Sequence, residues 1–348
     1  MTKKIYINGR FLTQNMTGIN RFGYEICRSL AKLGIDFEVL VPNGVKEDYD
    51  LSSINVRTLN LFSSHLWEQI TLPLFLIGKN ALLINFSGLG PIFKTEQIIT
   101  IHDLSFKINP SWFSKSYYFF YNLFTPIVAR KAEKILTVSE FSKKEIERLL
   151  GVPPHKISVV YNAVSDSFLQ KEAEVGTTDL SQPYILAVFS LDPRKNIDVL
   201  IQAYKESKIE IPLYVIGGGN SVFGDLKIKN MPYNIKFLGR VSDEELVAYY
   251  KNATLFVYPS LYEGFGLPPL EALMCGCRNV LLSDLEVFHE VYGDNVNYVE
   301  GDSVNSLSAA MNKALLNENK SPNIEELRKR YSWDFVAQKI KEEIYKTL

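Results

Sequence analysis

Ser260-Leu261-Tyr262-Glu263-Gly264-Phe265-Gly266-Leu267-Pro268-Pro269-Leu270-Glu271-Ala272-Leu273 decides how this chain folds. The run before it, Leu255 to Tyr258, has the length and apolar character of a buried strand. Pro268 and Pro269 mark a helix start that Leu270 to Met274 continues. A strand, a Gly-rich turn and a helix in succession leave backbone N–H groups beside the turn. Gly264 and Gly266 tolerate positive φ and let the backbone approach a ligand closely, while the helix N-terminus offers partial positive charge to a diphosphate. Two glutamates bracket the turn with seven residues between them. Glu263 is expected to face the ligand from the loop, and Glu271, expected in the first helical turn, to accept hydrogen bonds from ribose hydroxyls. For two glutamates alone, a solvated loop charge and a partner for the helix dipole would be the better account. With the glycines, prolines and strand in register, a nucleotide-sugar pocket is.

Outward from this motif, short apolar runs alternate with helical stretches. Tyr184–Val188, Leu213–Ile216, Ile235–Leu238, Leu255–Val257 and Val280–Leu282 form one set; Lys4–Ile7, Phe37–Val41, Ala81–Ile84, Ile98–Ile101, Ile135–Val138 and Ile157–Tyr161 form another. Such alternation predicts α/β architecture with parallel sheets covered on both faces. The polar stretch 171–182 reads as a linker between an N-terminal Rossmann-like domain, 1–170, and a C-terminal one, 183–332. Two doubly wound domains facing each other across a cleft are expected, with ligands outside the carboxyl ends of the strands.

At 348 residues and 46% apolar content, two cores of ordinary size are affordable and disorder is excluded. The formal charge of −1 argues against nucleic acid as a partner. The halves differ, however: residues 1–170 sum to +5 and the remainder to −6. A basic half suits anionic lipid headgroups, and an uneven solvated surface accounts for it equally well. Three cysteines, Cys27, Cys275 and Cys277, make no disulfide framework, and Cys-x-Cys without a nearby histidine makes no zinc site. With no signal-peptide core at the N-terminus and no run of ~20 apolar residues, a cytoplasmic protein is expected, at most lying on the inner face of the membrane.

The ordered motifs resemble a known family. Gly18-Ile19-Asn20-Arg21-Phe22, Leu66-Trp67-Glu68-Gln69, Thr100-Ile101-His102-Asp103-Leu104, Leu136–Ser142, Asp192-Pro193-Arg194-Lys195-Asn196, the glutamate pair and Tyr331-Ser332-Trp333 are together similar to the retaining GT-B glycosyltransferases of the E-x7-E group. Bacterial mannosyltransferases of surface-polysaccharide and lipopolysaccharide assembly are among them. The resemblance implies an N-terminal acceptor domain, with a C-terminal helix at 333–348 packing back on it, and a C-terminal donor domain. It implies transfer, with retention, from a nucleoside diphosphate sugar to an oligosaccharide or lipid-linked acceptor. GDP-mannose is the first expectation for the donor and a UDP-sugar the second.

By the same resemblance, His102, Lys195 and Glu263 carry the chemistry. Gly18, Arg194, Lys195, Phe265, Gly266 and Leu267 hold the diphosphate, Arg240, Val241 and Glu271 hold the nucleoside, and Asp103, Ser139, Asn162 and Ser190 line the cleft. Lys195 and Arg194 follow a strand and are expected to project from its loop, where a fixed cation pair stabilises the charge gained by the departing diphosphate. Ser190 stands where many relatives carry arginine, which weakens the case for Arg194 relative to Lys195. Asp103 is expected to orient the His102 ring. Gly18 fits either a ligand contact or a plain tight turn. With cation work assigned to Arg194 and Lys195, no metal and no further cofactor are expected; Asp48-Tyr49-Asp50 stands apart from every other motif. Gly217-Gly218-Gly219 lacks the third glycine of a dinucleotide fingerprint, since Val222 occupies that place. Tyr117–Phe124, beside Arg130 and Lys131, suits either a membrane interface or a buried helix. Two rivals keep the fold: a sugar-nucleotide epimerase or phosphorylase, and a non-catalytic sugar-nucleotide-binding scaffold subunit.

Overall fold

The computed structural model describes residues 3–170, 180–190, 192–218, 232–300, 302–316 and 320–348. Two compact units are present, Met1–Ala163 with Tyr331–Leu348, and Val164–Arg330. The division falls at Ala163, earlier than the linker read at 171–182, of which 171–179 lies outside the described residues.

The first unit is built on seven parallel strands: β1 (Lys4–Asn8), β2 (Phe37–Val41), β3 (Val56–Thr58), β4 (Ala81–Asn85), β5 (Gln97–Thr100), β6 (Lys134–Thr137) and β7 (Ile157–Val159), in the order β3-β2-β1-β4-β5-β6-β7. The second has six: β8 (Ile185–Val188), β9 (Leu213–Ile216), β10 (Ile235–Gly239), β11 (Leu255–Tyr258), β12 (Val280–Ser283) and β13 (Asn297–Val299), ordered β10-β9-β8-β11-β12-β13. The central strands are buried on both faces, in keeping with their largely apolar runs. In each sheet the chain winds one way from the first strand and then the other. That reversal opens a crevice at the carboxyl ends of β1 and β4 in one unit, and of β8 and β11 in the other.

The helices follow from spacing and caps. Gly18–Lys32 buries Phe22, Ile26 and Leu30 at four-residue intervals and starts after Thr17, whose hydroxyl accepts from Asn20 N. Asp243–Asn252 begins with a capping box between Ser242 and Glu245. Trp333–Thr347 is capped by Ser332 and packs on Gly18–Lys32, with the Trp333 and Phe22 ring centroids 5.8 Å apart. Among the described residues, no helix is long and apolar enough to cross a membrane.

Candidate active site

In the second unit, the crevice between β8 and β11 brings together two loops that are far apart in sequence. Arg194 and Lys195 form a single 3-10 turn after β8, capped by Asp192, and Glu263 sits in the turn after β11. The Leu261 backbone N–H donates to the Arg194 carbonyl at 2.7 Å and fixes one loop to the other. Lys195 is 7% exposed and Glu263 6%; the Lys195 ammonium donates to Glu263 Oε1 and, at 2.7 Å, to the Tyr258 hydroxyl. Tyr258 in turn donates to Glu263 Oε1 at 2.9 Å. Arg194 Nε lies 2.6 Å from Asp192 Oδ2, and its Nη1 is 4.0 Å from Glu263 Oε2.

Glu263 is the buried counter-ion of Lys195, and Asp192 and Glu263 together balance the two cations. Burial by itself would raise the Glu263 carboxyl, but the Lys195 and Arg194 charges overcome it and hold the group below its ordinary range. Desolvation pulls Lys195 below its usual value, against the attraction of Glu263. Burial and the Glu263 charge push the Tyr258 phenol far up, so it serves as a neutral donor.

The helix after the turn runs Leu267–Met274, and Gly266 is its N-cap in the left-handed region, φ 89°. A Cβ at Gly266 would sit 2.5 Å from Phe288 Cε1, so both conformation and space demand glycine. Phe265 is buried beside it and Leu267 is half-buried. Helix formation begins one residue before the prolines, which places Glu271 in the second turn rather than the first. There it accepts from the buried Tyr250 hydroxyl at 3.0 Å, with its side chain half-buried. Arg240 is exposed and Val241 half-buried, both between β10 and Asp243–Asn252; Ser190 is exposed at the end of β8. Gly219 and Val222 lie outside the described residues.

The first unit carries the remaining candidates. His102 follows β5, and its Nε2–H donates to the Phe86 carbonyl at 3.0 Å, which leaves Nδ1 as the acceptor of the neutral ring. Burial lowers its pKa against the pull of that carbonyl and of Asp103. Asp103 is not the hydrogen-bond partner that orients this ring: its Oδ1 accepts from the N–H and hydroxyl of Ser105, at 2.9 and 2.6 Å. Phe22 packs edge-on against the imidazole, 4.9 Å between centroids. Gly18 is the first residue of its helix, and its φ is not positive. A Cβ there would meet nothing within 4 Å, so no tight turn explains the glycine. Ser139 is fully buried and caps Glu140–Leu150 by accepting from Ser142 N. Asn162 is half-buried, beyond β7.

Sequence reasoning passed over several polar side chains. Tyr258 looked like a strand terminus. At the crevice between β1 and β4, Glu68 is buried on a π-helical turn, Trp67–Thr71, and accepts from Asn8 Nδ2 at 2.8 Å; Arg10 Nε lies 3.6 Å away. Asn8 continues to Asn85 at 2.9 Å, and Asn85 to Gln97 at 3.0 Å. The Trp-Glu-Gln motif pointed toward this place, and a π-turn is itself a frequent mark of function.

Comparison with known proteins agrees with this geometry. The family model "Glycosyltransferase Family 4" matches residues 16–168, and "Glycosyl transferases group 1" matches residues 170–331. The O-antigen chain mannosyltransferase RfbU of Salmonella typhimurium is 31% identical over 281 residues, 78% of this chain and 75% of that protein. The O-antigen chain mannosyltransferase B of Escherichia coli is 33% identical over 232 residues, 63% of this chain and 61% of its own. Among solved structures, sucrose-phosphate synthase of Thermosynechococcus elongatus aligns with TM-score 0.76 at 16% identity over 99% of both chains. WaaG, a glycosyltransferase involved in lipopolysaccharide biosynthesis, aligns with TM-score 0.66 at 16% identity over 97% of this chain and 95% of its own.

Proposed function

Because the chain belongs to the group 1 glycosyltransferases, with a Family 4 N-terminal domain and the GT-B fold, we propose that it transfers mannose from GDP-mannose to a sugar hydroxyl of an oligosaccharide or lipid-linked acceptor. The anomeric configuration is retained, and the product belongs to lipopolysaccharide or a related surface polysaccharide. The observation that carries the chemistry is the buried Lys195–Glu263–Tyr258 cluster at the crevice of the second sheet. Glu263 and Tyr258 hold the Lys195 ammonium in place before the donor arrives. As the glycosidic bond breaks, negative charge grows on the departing diphosphate, and a preorganised cation stabilises that charge more than the ground state. Arg194, held by Asp192, is the second cation. Together they take the role that a divalent metal plays elsewhere, and no metal is required. The turn at Phe265, Gly266 and Leu267 supplies backbone N–H groups and the positive end of a helix to the phosphates. Pro268 and Pro269 carry no N–H, so donation falls to the residues before them. Glu271 accepts from the ribose hydroxyls, and the backbone at Arg240 and Val241 meets the base. The acceptor's proton goes to a departing phosphate oxygen, so no nucleophilic carboxylate is needed. His102, with Nδ1 available as an acceptor, contacts sugar hydroxyls.

A membrane surface is the second part of the proposal. Leu66, Ile70 and Leu74 are exposed at four-residue intervals, and Ile77 beyond them is 71% exposed. Phe119 (70%) and Leu123 are exposed on Lys115–Lys131, and the His65 and Phe120 rings, 5.8 Å apart, join the two segments. Residues 104–132 contain no Asp or Glu, and Glu68, the only acid in 56–79, is buried. Apolar side chains among cations alone favour contact with an anionic bilayer, where a lipid-linked acceptor would be found.

A thermal-shift screen against GDP, UDP, dTDP and ADP and their sugars, with magnesium or EDTA, tests the donor. Stabilisation by GDP-mannose that persists in EDTA is expected. A response confined to UDP-sugars would reassign the donor, and loss of every response in EDTA would overturn the metal-free reading. The one-bond C1–H1 coupling of the first product then reads retention, because the H1–H2 coupling of mannose is small in both anomers.

A further inference from the structure

The Trp-Glu-Gln motif at 67–69 takes no part in the proposed chemistry, yet each of its side chains is bonded to another part of the first unit. On the π-turn Trp67–Thr71, Trp67 Nε1 donates to the Leu59 carbonyl at 3.1 Å, and Glu68 Oε1 accepts from Asn8. Gln69 uses both ends of its amide on the loop between β4 and β5. Its Nε2 donates to the Gly90 carbonyl at 2.9 Å, and its Oε1 accepts from Ile92 N–H at 3.0 Å. Gln97, fully buried at the start of β5, holds the same loop: its Nε2 donates to the Pro91 carbonyl at 2.9 Å and to the Lys94 carbonyl at 2.8 Å. Two glutamines from different elements thus bond residues 90, 91 and 92 in alternation.

Asn85 ties this clamp to the strand that precedes the loop. It is fully buried, accepts from Asn8 Nδ2 at 2.9 Å and donates to Gln97 Oε1 at 3.0 Å. A Cβ at Gly90, where φ is 69°, would fall 2.5 Å from Asn85 Cγ, so the loop folds back onto this side chain through a glycine. Phe86 comes next, where β4 ends, and its carbonyl is the group that receives His102 Nε2–H. A carbonyl at a strand end turns with the loop that follows it, and the bond it makes decides which imidazole nitrogen keeps the proton. Neutral amides hold that loop, so the clamp does not titrate. We infer that Gln69 and Gln97 are positioning residues: by clamping 90–94 they keep the Phe86 carbonyl on His102 Nε2–H and leave Nδ1 as the acceptor. Calling that acceptor a sugar contact rests on the proposed function; the clamp itself does not.

The ring nitrogens of His102 report the clamp directly, in ¹H–¹⁵N spectra of the full chain labelled at histidine, with His102→Gln assigning the signals. Wild type is expected to show the Nε2–H tautomer with a slowly exchanging proton. Gln69→Met keeps the length of the side chain and removes both bonds, and because Gln69 is only half-buried the chain should fold. In this variant the Nε2 proton should exchange about fivefold faster or more, the weight of a lost hydrogen bond, and the ring-nitrogen shifts should move towards those of a tautomer mixture. Turnover with GDP-mannose should fall roughly tenfold to a hundredfold, as for a misplaced contact group, while GDP affinity in calorimetry stays at the wild-type value. Gln97→Met should act in the same direction. Tyr24→Phe is the control: it drops the two bonds between the Tyr24 hydroxyl and the Asp50 backbone elsewhere in the unit, and should lower Tm without moving the His102 signals. Unchanged exchange and shifts in Gln69→Met, or the same changes in Tyr24→Phe, would overturn the inference. Altered His102 signals with wild-type turnover would instead leave the clamp in place and remove His102 from the transferase reading.

Discussion

Glu263→Gln asks whether the buried carboxylate is what keeps Lys195 charged. Both side chains are enclosed, and Glu263 Oε1 receives both the ammonium and the Tyr258 hydroxyl. Removing one partner of a buried pair costs about 3–5 kcal/mol, a fall in Tm of roughly 6–20 °C for a unit of this size. The loss is limited where Lys195 sheds its proton instead. Burial and Arg194 already push its pKa down, opposed by Glu263 and Asp192. Without Glu263 the pKa falls further, so the variant's ammonium is populated at low pH and lost as pH rises. Turnover at saturating GDP-mannose should then fall as pH is raised from about 6 to about 9, reaching a deficit on the order of 10²–10³ at the alkaline end, the effect of losing one donor to a developing oxyanion. Lys195→Ala should show the same deficit at every pH. In wild type the Glu263 pKa lies below its unfolded value, so its stabilisation is complete above about pH 4.5 and is lost as pH falls through the folded pKa. A Gln variant with wild-type turnover across the range and an unchanged Tm would refute the claim that Glu263 holds Lys195 charged.

Glu271→Ala should weaken GDP-mannose binding on the order of tenfold in calorimetry with little change in kcat, since ribose hydroxyls are met equally in ground and transition states; normal affinity would remove Glu271 from the nucleoside site. Gly266→Ala places a side chain at positive φ against Phe288 and should lower stability by about 2–4 kcal/mol in denaturant melts while impairing donor binding. The double variant Leu74→Glu, Phe119→Glu should lose about tenfold in sedimentation with phosphatidylethanolamine–phosphatidylglycerol vesicles, and wild-type binding should weaken as salt rises. Equal sedimentation of variant and wild type would end the membrane reading.

The strands most legible in sequence were those buried on both faces, where apolar runs are continuous. The two missed, Val56–Thr58 and Asn297–Val299, are three-residue edge strands, half-buried or exposed, with no such run to find. The glutamate motif announced its strand, turn and helix, yet two prolines drew the helix start forward, because Leu267 gives no sign that it continues from a left-handed Gly266. Pairing was the least legible feature. Nothing near Lys195 says that its partner comes 68 residues later. The His102 ring was misassigned to Asp103 by adjacency, when the carbonyl that holds it belongs to Phe86.

The helix Trp333–Thr347 gives the first unit a history different from that of the second. Val164–Arg330 is continuous and has all its parts once Arg330 is made, whereas Met1–Ala163 waits for Tyr331–Leu348 to cover Gly18–Lys32. At ribosomal speed that wait is roughly ten to forty seconds. Through that interval Phe22 lacks Trp333 on one side while it already leans on His102 on the other. The part synthesised first is thus finished last, and a chain cut before Trp333 would carry every residue of the second unit while Phe22 in the first lacked its Trp333 contact.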